Sequence, residues 1–191
     1  MKVVFGGAFN PPTRAHLAVA KYLSEISWVD EVILMPVGDQ YEKPGMVSAS
    51  HRLAMLKLMV AKIDKTTVSE LEINAPVALK TVETLEALQY QHPYAEFAFV
   101  MGADNLAQLS RWSQHERLVS NFKMLILGRD DFDVLELIKR DFSKYSDNFI
   151  VLKDFIPINM SATQFRENPE KSELLVATVA KYIQKNGLYM R

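Results

Sequence analysis

The segment Gly6-Gly7-Ala8-Phe9-Asn10-Pro11-Pro12-Thr13-Arg14-Ala15-His16 combines glycines, a hydroxyl and an imidazole directly after an apolar run that ends at Phe5. Glycine lets a ligand approach the backbone closely, and a helix that begins after such a loop offers free N–H groups to an anion. Thr13 and His16 are three residues apart, so on a helix they lie on one face and both can donate to phosphate oxygens. The segment predicts one wall of a phosphate-binding site.

A second candidate phosphate site is the segment Met160-Ser161-Ala162-Thr163-Gln164-Phe165-Arg166. Ser161 and Gln164 have the spacing of a capping box, which predicts that a helix begins here. Thr163 and Arg166 then share a face, and the arginine fork can bind two phosphate oxygens with a charge that does not titrate at ordinary pH. Alone, this pattern also fits a well-capped helix with a solvated arginine. Together with the glycine segment, it indicates a nucleotide site built from both ends of the chain.

The polar residues after Met101 could form a third part of the site. Gly102 would let a ribose approach the backbone, and Asp104 could accept hydrogen bonds from ribose hydroxyls. Trp112 offers a flat ring that attracts a cation such as a pyridinium. The alternatives are that Asp104 caps a helix and that Trp112 packs in the core or at its rim.

Short apolar runs alternate with helical periodicity along the chain, which predicts one α/β domain with a doubly wound parallel sheet. Ligands of such sheets bind beyond the carboxyl ends of the strands, so the segments to inspect are Gly6–His16, Pro36–Lys43, Gly102–Asn105 and Gly128–Arg129. The domain is expected to span residues 1–191, with a C-terminal helical portion at about 159–191. The predicted strands are Lys2–Phe5, Glu31–Met35, Thr67–Leu71, Glu96–Met101, Phe122–Leu127 and Phe149–Leu152. The predicted helices are Arg14–Ile26, Ala49–Ile63, Lys80–Tyr90, Asn105–Leu109, Val134–Phe142, Ser161–Arg166 and Glu173–Lys185.

Composition narrows the classes of partner. The chain has 191 residues, 22 basic against 23 acidic, and it has no long run of Lys or Arg, which argues against non-specific nucleic-acid binding. No segment approaches the roughly 20 apolar residues of a membrane span. Cysteine is absent and the four histidines lack ligand spacing, so no protein-held metal site is expected. We expect a cytoplasmic protein with small-molecule ligands, and a homo-oligomer is compatible with the sequence.

The candidate segments resemble the signature of the nucleotidyltransferase superfamily: a strand, Gly-Gly-x-Phe-Asp/Asn-Pro, then His/Thr-x-Gly-His, with Ile-Ser-Ser-Thr-x-Ile-Arg near the C-terminus. The chain is most similar to the nicotinate- and nicotinamide-mononucleotide adenylyltransferases, and the resemblance covers essentially its whole length. Thr13 stands where the family usually has histidine, Ala15 replaces a glycine and Ala162 replaces a serine. With Thr13 uncharged, His16 alone is expected to carry charge at the first wall.

The resemblance implies a Rossmann-like nucleotidyltransferase fold and transfer of AMP from ATP to a pyridine mononucleotide. Pyrophosphate leaves and an NAD-type dinucleotide forms, a step of NAD biosynthesis, with Mg²⁺ carried on the ATP phosphates. The implied catalytic residues are His16, Thr13 and Arg166. The implied ATP-binding residues are Gly6, Gly7, Phe9, Gly102, Asp104, Ser161 and Thr163. The implied mononucleotide-binding residues are Lys43, Thr81, Trp112 and Arg129.

Several alternatives stay open at the level of sequence. Thr13 slightly favours a sister transferase acting on another phosphate acceptor, such as phosphopantetheine, whereas Trp112 argues against it. A non-catalytic nucleotide-binding regulator on the same fold is a second alternative. Among pyridine acceptors, the Asp39–Lys43 loop favours nicotinamide, and a small enzyme of this type favours nicotinate. Arg52 is a weaker phosphate candidate that we interpret as mostly structural, and the tail from Val179 to Tyr189 is expected to be core packing.

Overall fold

The computed structural model describes residues 1–41, 43–128 and 133–190, and its centre is a six-stranded sheet. All neighbouring strands are parallel, in the order β3-β2-β1-β4-β5-β6. The strands are β1 (Lys2–Gly7), β2 (Glu31–Pro36), β3 (Thr66–Val68), β4 (Phe97–Gly102), β5 (Lys123–Leu127) and β6 (Phe149–Leu152).

The strand order makes the sheet doubly wound. The chain starts in the middle at β1, runs outward through β2 and β3, and returns to place β4 on the other side of β1. This reversal creates a crevice between the carboxyl ends of β1 and β4, which is where ligands bind in such sheets. The predicted fold class is confirmed.

Helices cover both faces of the sheet, and none in the described part of the chain is long and apolar enough to cross a membrane. The helices are α1 (Arg14–Glu25), α2 (Ala49–Val60), α3 (Leu71–Asn74), α4 (Thr81–Gln91), α5 (Ala103–Leu106), α6 (His115–Asn121), α7 (Val134–Asp141), α8 (Ala162–Glu167) and α9 (Ala177–Lys185). Segments of 3-10 helix span Leu109–Arg111, Ser143–Asn148 and Ser172–Leu174.

The core has two layers because successive residues of β1 point to opposite faces of the sheet. Val3 belongs to the layer covered by α1, α2 and α9, and Val4 belongs to the layer covered by α4 and α6. Both valines are buried, as the continuous apolar run before Gly6 predicts for a central parallel strand. This burial holds the glycine segment rigidly at the end of β1.

The predicted strand Thr67–Leu71 is wrong in its second half. Pairing with β2 stops at Val68, and the hydroxyl of Ser69 then accepts a hydrogen bond from the backbone N–H of Leu71 at 3.2 Å. Such a serine turn ends a strand and favours a helical turn after it. The segment Leu71–Asn74 is therefore the short helix α3, whose place on the sheet edge matters for the site.

The predicted helices also need two corrections: one was interrupted and one was missing. The predicted helix Glu173–Lys185 is interrupted at Leu175, which has an extended backbone and whose carbonyl accepts a hydrogen bond from Arg14 Nε at 3.0 Å. Helix α6 was not predicted, because the polar run around Gln114 shows weak periodicity. Its buried Leu118 and Val119 close the core over β5.

Candidate active site

A cavity of about 680 Å³ opens beyond the carboxyl ends of the strands, at the predicted position. The ends of β1, β4 and β5 contribute Gly6, Gly7, Gly102 and Leu127 to its lining. The opposite wall comes from the loop after β2 and from the start of α4. The cavity therefore spans the crevice at the switch point and the space beside it.

The two glycines line the cavity, but packing explains part of their identity. A Cβ at Gly6 would lie 3.0 Å from the ring of Phe99, and one at Gly7 would lie 3.4 Å from the ring of Phe9. Phe9 itself has a positive φ of 47° and is only 2% exposed. Its predicted contact with ATP needs correction, because its side chain belongs to the core and shapes the loop from beneath.

His16 lies one turn into α1, where its ring packs between Phe5 and Phe9 at centroid distances of 6.0 and 5.0 Å. Its Nδ1 accepts a hydrogen bond from the backbone N–H of Thr13 at 2.9 Å. The Thr13 hydroxyl is also 2.9 Å from the same nitrogen. Because Nδ1 is used as an acceptor, the ring proton is on Nε2, which is left to donate to a ligand.

The charge predicted for His16 is wrong for neutral pH. Burial lowers the pKa of the ring from 6.5 to about 4, because the charged form loses hydration between the aromatic rings. Thr13 is fully buried, with its hydroxyl against the histidine, so it orients the ring and does not face the cavity itself. At this wall of the site, His16 is therefore an uncharged hydrogen-bond donor whose ring proton is fixed on Nε2.

The buried, neutral state of His16 predicts that the free energy of unfolding depends on pH. Since the unfolded chain binds the His16 proton more tightly, the free energy of unfolding should decrease as pH falls from 6.5 towards 4. The ring signals of His16 in NMR spectra should titrate near 4, and His16→Gln should reduce the loss of stability between pH 6.5 and 5. A ring midpoint near 6.5 would contradict the buried, neutral state.

The second phosphate segment meets the first in space, as predicted. Arg166 Nη1 donates to the backbone carbonyl of Asn10 at 2.7 Å, across 156 positions of sequence. Arg166 Nη2 donates to Thr163 Oγ1 at 3.0 Å, which confirms that these two residues share a face. The capping box is also confirmed: Ser161 Oγ accepts from Gln164 N at 3.1 Å, and Gln164 Oε1 accepts from Ser161 N at 2.7 Å. The Ser161 hydroxyl thus holds the helix that carries Arg166.

Asn10 and Tyr189 are structural supports of the site that sequence reasoning missed. Tyr189 Oη donates to Asn10 Oδ1 at 2.6 Å, and Asn10 Nδ2 donates to the carbonyl of Gly45 at 3.0 Å. Burial raises the pKa of the Tyr189 phenol well above its usual range. The tail after α9 therefore does more than pack, because its tyrosine fixes the residue to which Arg166 is bound. The sequence from Tyr182 to Tyr189 gives no indication of the hydrogen bond between Tyr189 and Asn10.

The prediction that Arg52 is mostly structural is confirmed. The weaker prediction that it binds phosphate is wrong in this structure. The side chain is fully buried and donates to the carbonyls of Val47 and Ala8 at 3.0 and 3.1 Å. It also pairs with Asp39 at 3.2 Å, and Asp39 accepts from the backbone N–H of Ala49 at 2.7 Å. These contacts tie the loop after β1 to the loop after β2.

The predicted ribose contacts lie at the start of α5. A Cβ at Gly102 would collide with Asp104 Oδ1, so glycine is required for the carboxylate to fold back over the strand end. Asp104 is exposed and available to a ligand. Asn105, which follows it, lines the cavity directly and was not assigned a role from sequence.

The predicted mononucleotide residues Lys43, Thr81 and Trp112 all line the cavity. Trp112 presents its ring with an edge-to-face contact on Phe99, at a centroid distance of 6.3 Å. This contact leaves the tryptophan half-buried at the rim, where a planar ring can stack on it. Arg129 lies outside the described residues.

The cavity lining also includes Tyr41, Glu72 and Lys80, to which the sequence analysis assigned no role. Glu72 belongs to α3, a helix that the sequence did not predict. It accepts a hydrogen bond from Thr84 Oγ1 at 2.7 Å. Burial raises the pKa of its carboxyl group, and the Thr84 hydrogen bond opposes that change. Among the described residues, no group of three or more His, Cys, Asp or Glu is placed to hold a metal ion.

Similar proteins match the chain over nearly its full length. The cytidylyltransferase-like family profile matches residues 4–168. A probable nicotinate-nucleotide adenylyltransferase of Acholeplasma laidlawii is 30% identical over 192 residues, covering 99% of this chain and 97% of the relative. One from Synechococcus sp. is 31% identical, covering 98% and 93%.

Solved structures support the fold. The nicotinic acid mononucleotide adenylyltransferase of Plasmodium falciparum, in complex with NaAD, superposes with a TM-score of 0.81 at 20% identity, covering 98% of this chain and 96% of that one. The same enzyme in complex with APC gives a TM-score of 0.80. With the family profile and the full-length relatives, the doubly wound sheet and its crevice place the chain in the cytidylyltransferase-like family, among the nicotinate-nucleotide adenylyltransferases.

Proposed function

We propose that this protein transfers AMP from ATP to the phosphate of nicotinate or nicotinamide mononucleotide, forming the dinucleotide and pyrophosphate in NAD biosynthesis. The observation that carries the proposal is the hydrogen bond between Arg166 and the carbonyl of Asn10. It joins the two phosphate-binding segments into one wall beside the cavity. The acceptor side of the cavity, with Trp112 and Thr81, suits a flat aromatic ring.

The reaction needs no protein nucleophile and no general base. A 5′-phosphate oxygen of the mononucleotide is already ionised at neutral pH and attacks the α-phosphorus of ATP. The new P–O bond forms as the bond between the α-phosphorus and the bridging oxygen breaks, and pyrophosphate leaves with that electron pair. Catalysis then depends on alignment and on stabilising the charge that builds on the phosphates.

Each wall has a distinct part in this reaction. His16 Nε2–H donates to the bridging region between the α- and β-phosphates, and Thr13 holds the ring in the donating tautomer. Arg166, with Ser161 and Thr163, binds the outer phosphates. Because Arg166 is anchored at both nitrogens, its fork is oriented before the nucleotide arrives.

The remaining residues seat the two nucleosides. Gly102, which lines the cavity, and the exposed Asp104 bind the ATP ribose, and Lys43, which also lines the cavity, binds the phosphate of the incoming mononucleotide. Thr81 and Trp112 hold the pyridine. Mg²⁺ would be carried by the triphosphate and held mainly by phosphate oxygens and water, with no protein ligand assigned to it. When bound, it neutralises charge on the phosphates.

The direct test is incubation of the purified protein with Mg²⁺–ATP and each of three acceptors: nicotinate mononucleotide, nicotinamide mononucleotide and 4′-phosphopantetheine. Pyrophosphate release and dinucleotide formation should depend on a pyridine acceptor. Release with phosphopantetheine alone would identify a sister transferase. Binding of ATP without turnover on any acceptor would identify a regulator and contradict the proposal.

A further inference from the structure

Glu72 is the acidic residue among the described residues that line the cavity. It is the second residue of α3, and it lines the cavity together with Thr81 and Trp112. Its Oε1 accepts a hydrogen bond from Thr84 Oγ1 at 2.7 Å, and Thr84 is buried in α4 one turn after Thr81. The carboxylate is thereby held beside the first turn of α4, which is the wall proposed to contact the pyridine substituent.

No cation neutralises Glu72 within the described part of the chain. The ion pairs found there join other residues, including Lys57 with Glu70 and Arg52 with Asp39. Lys43 and Lys80 line the same cavity, but neither forms an ion pair with Glu72 among those contacts.

The two pyridine acceptors differ in the group that would meet this carboxylate. Nicotinate has a carboxylate substituent, and two carboxylates at close range repel each other. Nicotinamide has an uncharged carboxamide, whose N–H can donate to a carboxylate oxygen in a charge-assisted hydrogen bond. A residue that repels one ligand and binds the other sets specificity in both directions.

We propose that Glu72 is a specificity-determining residue that shifts acceptor use from nicotinate mononucleotide towards nicotinamide mononucleotide. The inference rests on the proposed function, because it assigns the substituent of the acceptor to the wall formed by α3 and α4. Selectivity then comes from a side chain outside both phosphate-binding segments.

The test compares kcat/KM for the two acceptors at saturating Mg²⁺–ATP in wild type, Glu72→Gln and the control Glu70→Gln. Glu70 precedes α3, but its carboxylate pairs with Lys57 at 2.6 Å and is absent from the cavity lining. Glu72→Gln should change the ratio of nicotinate to nicotinamide efficiency by about tenfold in favour of nicotinate, equivalent to about 1.4 kcal/mol. Glu70→Gln should leave the ratio at the wild-type value.

A second measurement separates failure of this inference from failure of the proposed function. Calorimetric titration of each mononucleotide gives the ratio of dissociation constants for wild type and Glu72→Gln without any need for turnover. If neither acceptor is adenylylated, the proposed function is wrong, and the binding ratio still tests Glu72. Unchanged ratios in both measurements, with thermal melts showing a folded variant, would overturn the inference. Glu72→Asp retains the charge and should stay closer to wild type than Glu72→Gln does.

Discussion

His16→Ala is expected to lower kcat for dinucleotide formation by about 100-fold or more, as loss of one preorganised donor does in other enzymes. The ring is preorganised in two ways. Phe5 and Phe9 hold its plane, and Thr13 holds its tautomer through Nδ1. Nε2–H is therefore aimed before ATP binds. The KM for ATP should change less than kcat, because the donor acts most strongly as charge builds on the leaving pyrophosphate.

A matched control and a graded substitution make this expectation specific. His92→Ala removes an exposed histidine at the end of α4 and should leave kcat near the wild-type value. His16→Gln should retain more activity than His16→Ala, since a neutral amide N–H can replace a neutral imidazole N–H in part. A near-wild-type rate for His16→Ala would remove the catalytic role. Equal losses for alanine and glutamine would show that a neutral amide donor cannot substitute for the ring.

Much of the fold could be predicted because its signals are local. The buried strands β1, β4 and β5 are largely apolar runs; β1 and β4 end in glycine, at Gly7 and Gly102, and Gly128 follows β5. A parallel sheet then places the ends of these strands along one edge. The meeting of Arg166 with the glycine segment was predicted separately, because both segments have residues suited to binding phosphate.

The charge state of His16 could not be predicted, because it depends on burial. In the sequence, Thr13 replaces a histidine, which suggests that His16 must supply the missing charge. In the structure, Phe9 turns under the loop with a positive φ and helps remove water from the ring. The pKa falls as a result, so the side chain acts as a neutral donor.

Glu72 lies on a short helix that the sequence did not predict. The run from Thr67 to Leu71 has the β-branched composition of a strand, yet the turn at Ser69 ends it early. The following residues then fold as α3 and place a carboxylate in the cavity. Long-range contacts such as the hydrogen bond from Tyr189 to Asn10 could not be predicted either, because the sequence of neither segment indicates that the two segments meet.

Arg166→Ala should lower kcat/KM for ATP by about 100-fold, since it removes a bidentate, charge-assisted donor set for the phosphates. The two hydrogen bonds to Asn10 and Thr163 orient the guanidinium, so little rotamer entropy is lost when ATP binds. Arg166→Lys keeps the charge but has a single nitrogen, which cannot hold Asn10 and a phosphate in the same geometry. It should recover only part of the loss.

The control for Arg166 is Arg140→Ala, which removes an exposed arginine on α7 that pairs with the neighbouring Asp141. Arg140→Ala lowers the net charge of the protein by the same amount as Arg166→Ala. A non-specific effect of charge on ATP binding would therefore appear in both variants. If Arg166→Ala and Arg140→Ala lowered kcat/KM equally, the specific role of Arg166 would be wrong. The expected difference instead means that two segments 156 positions apart form one phosphate site because a single guanidinium bonds to both.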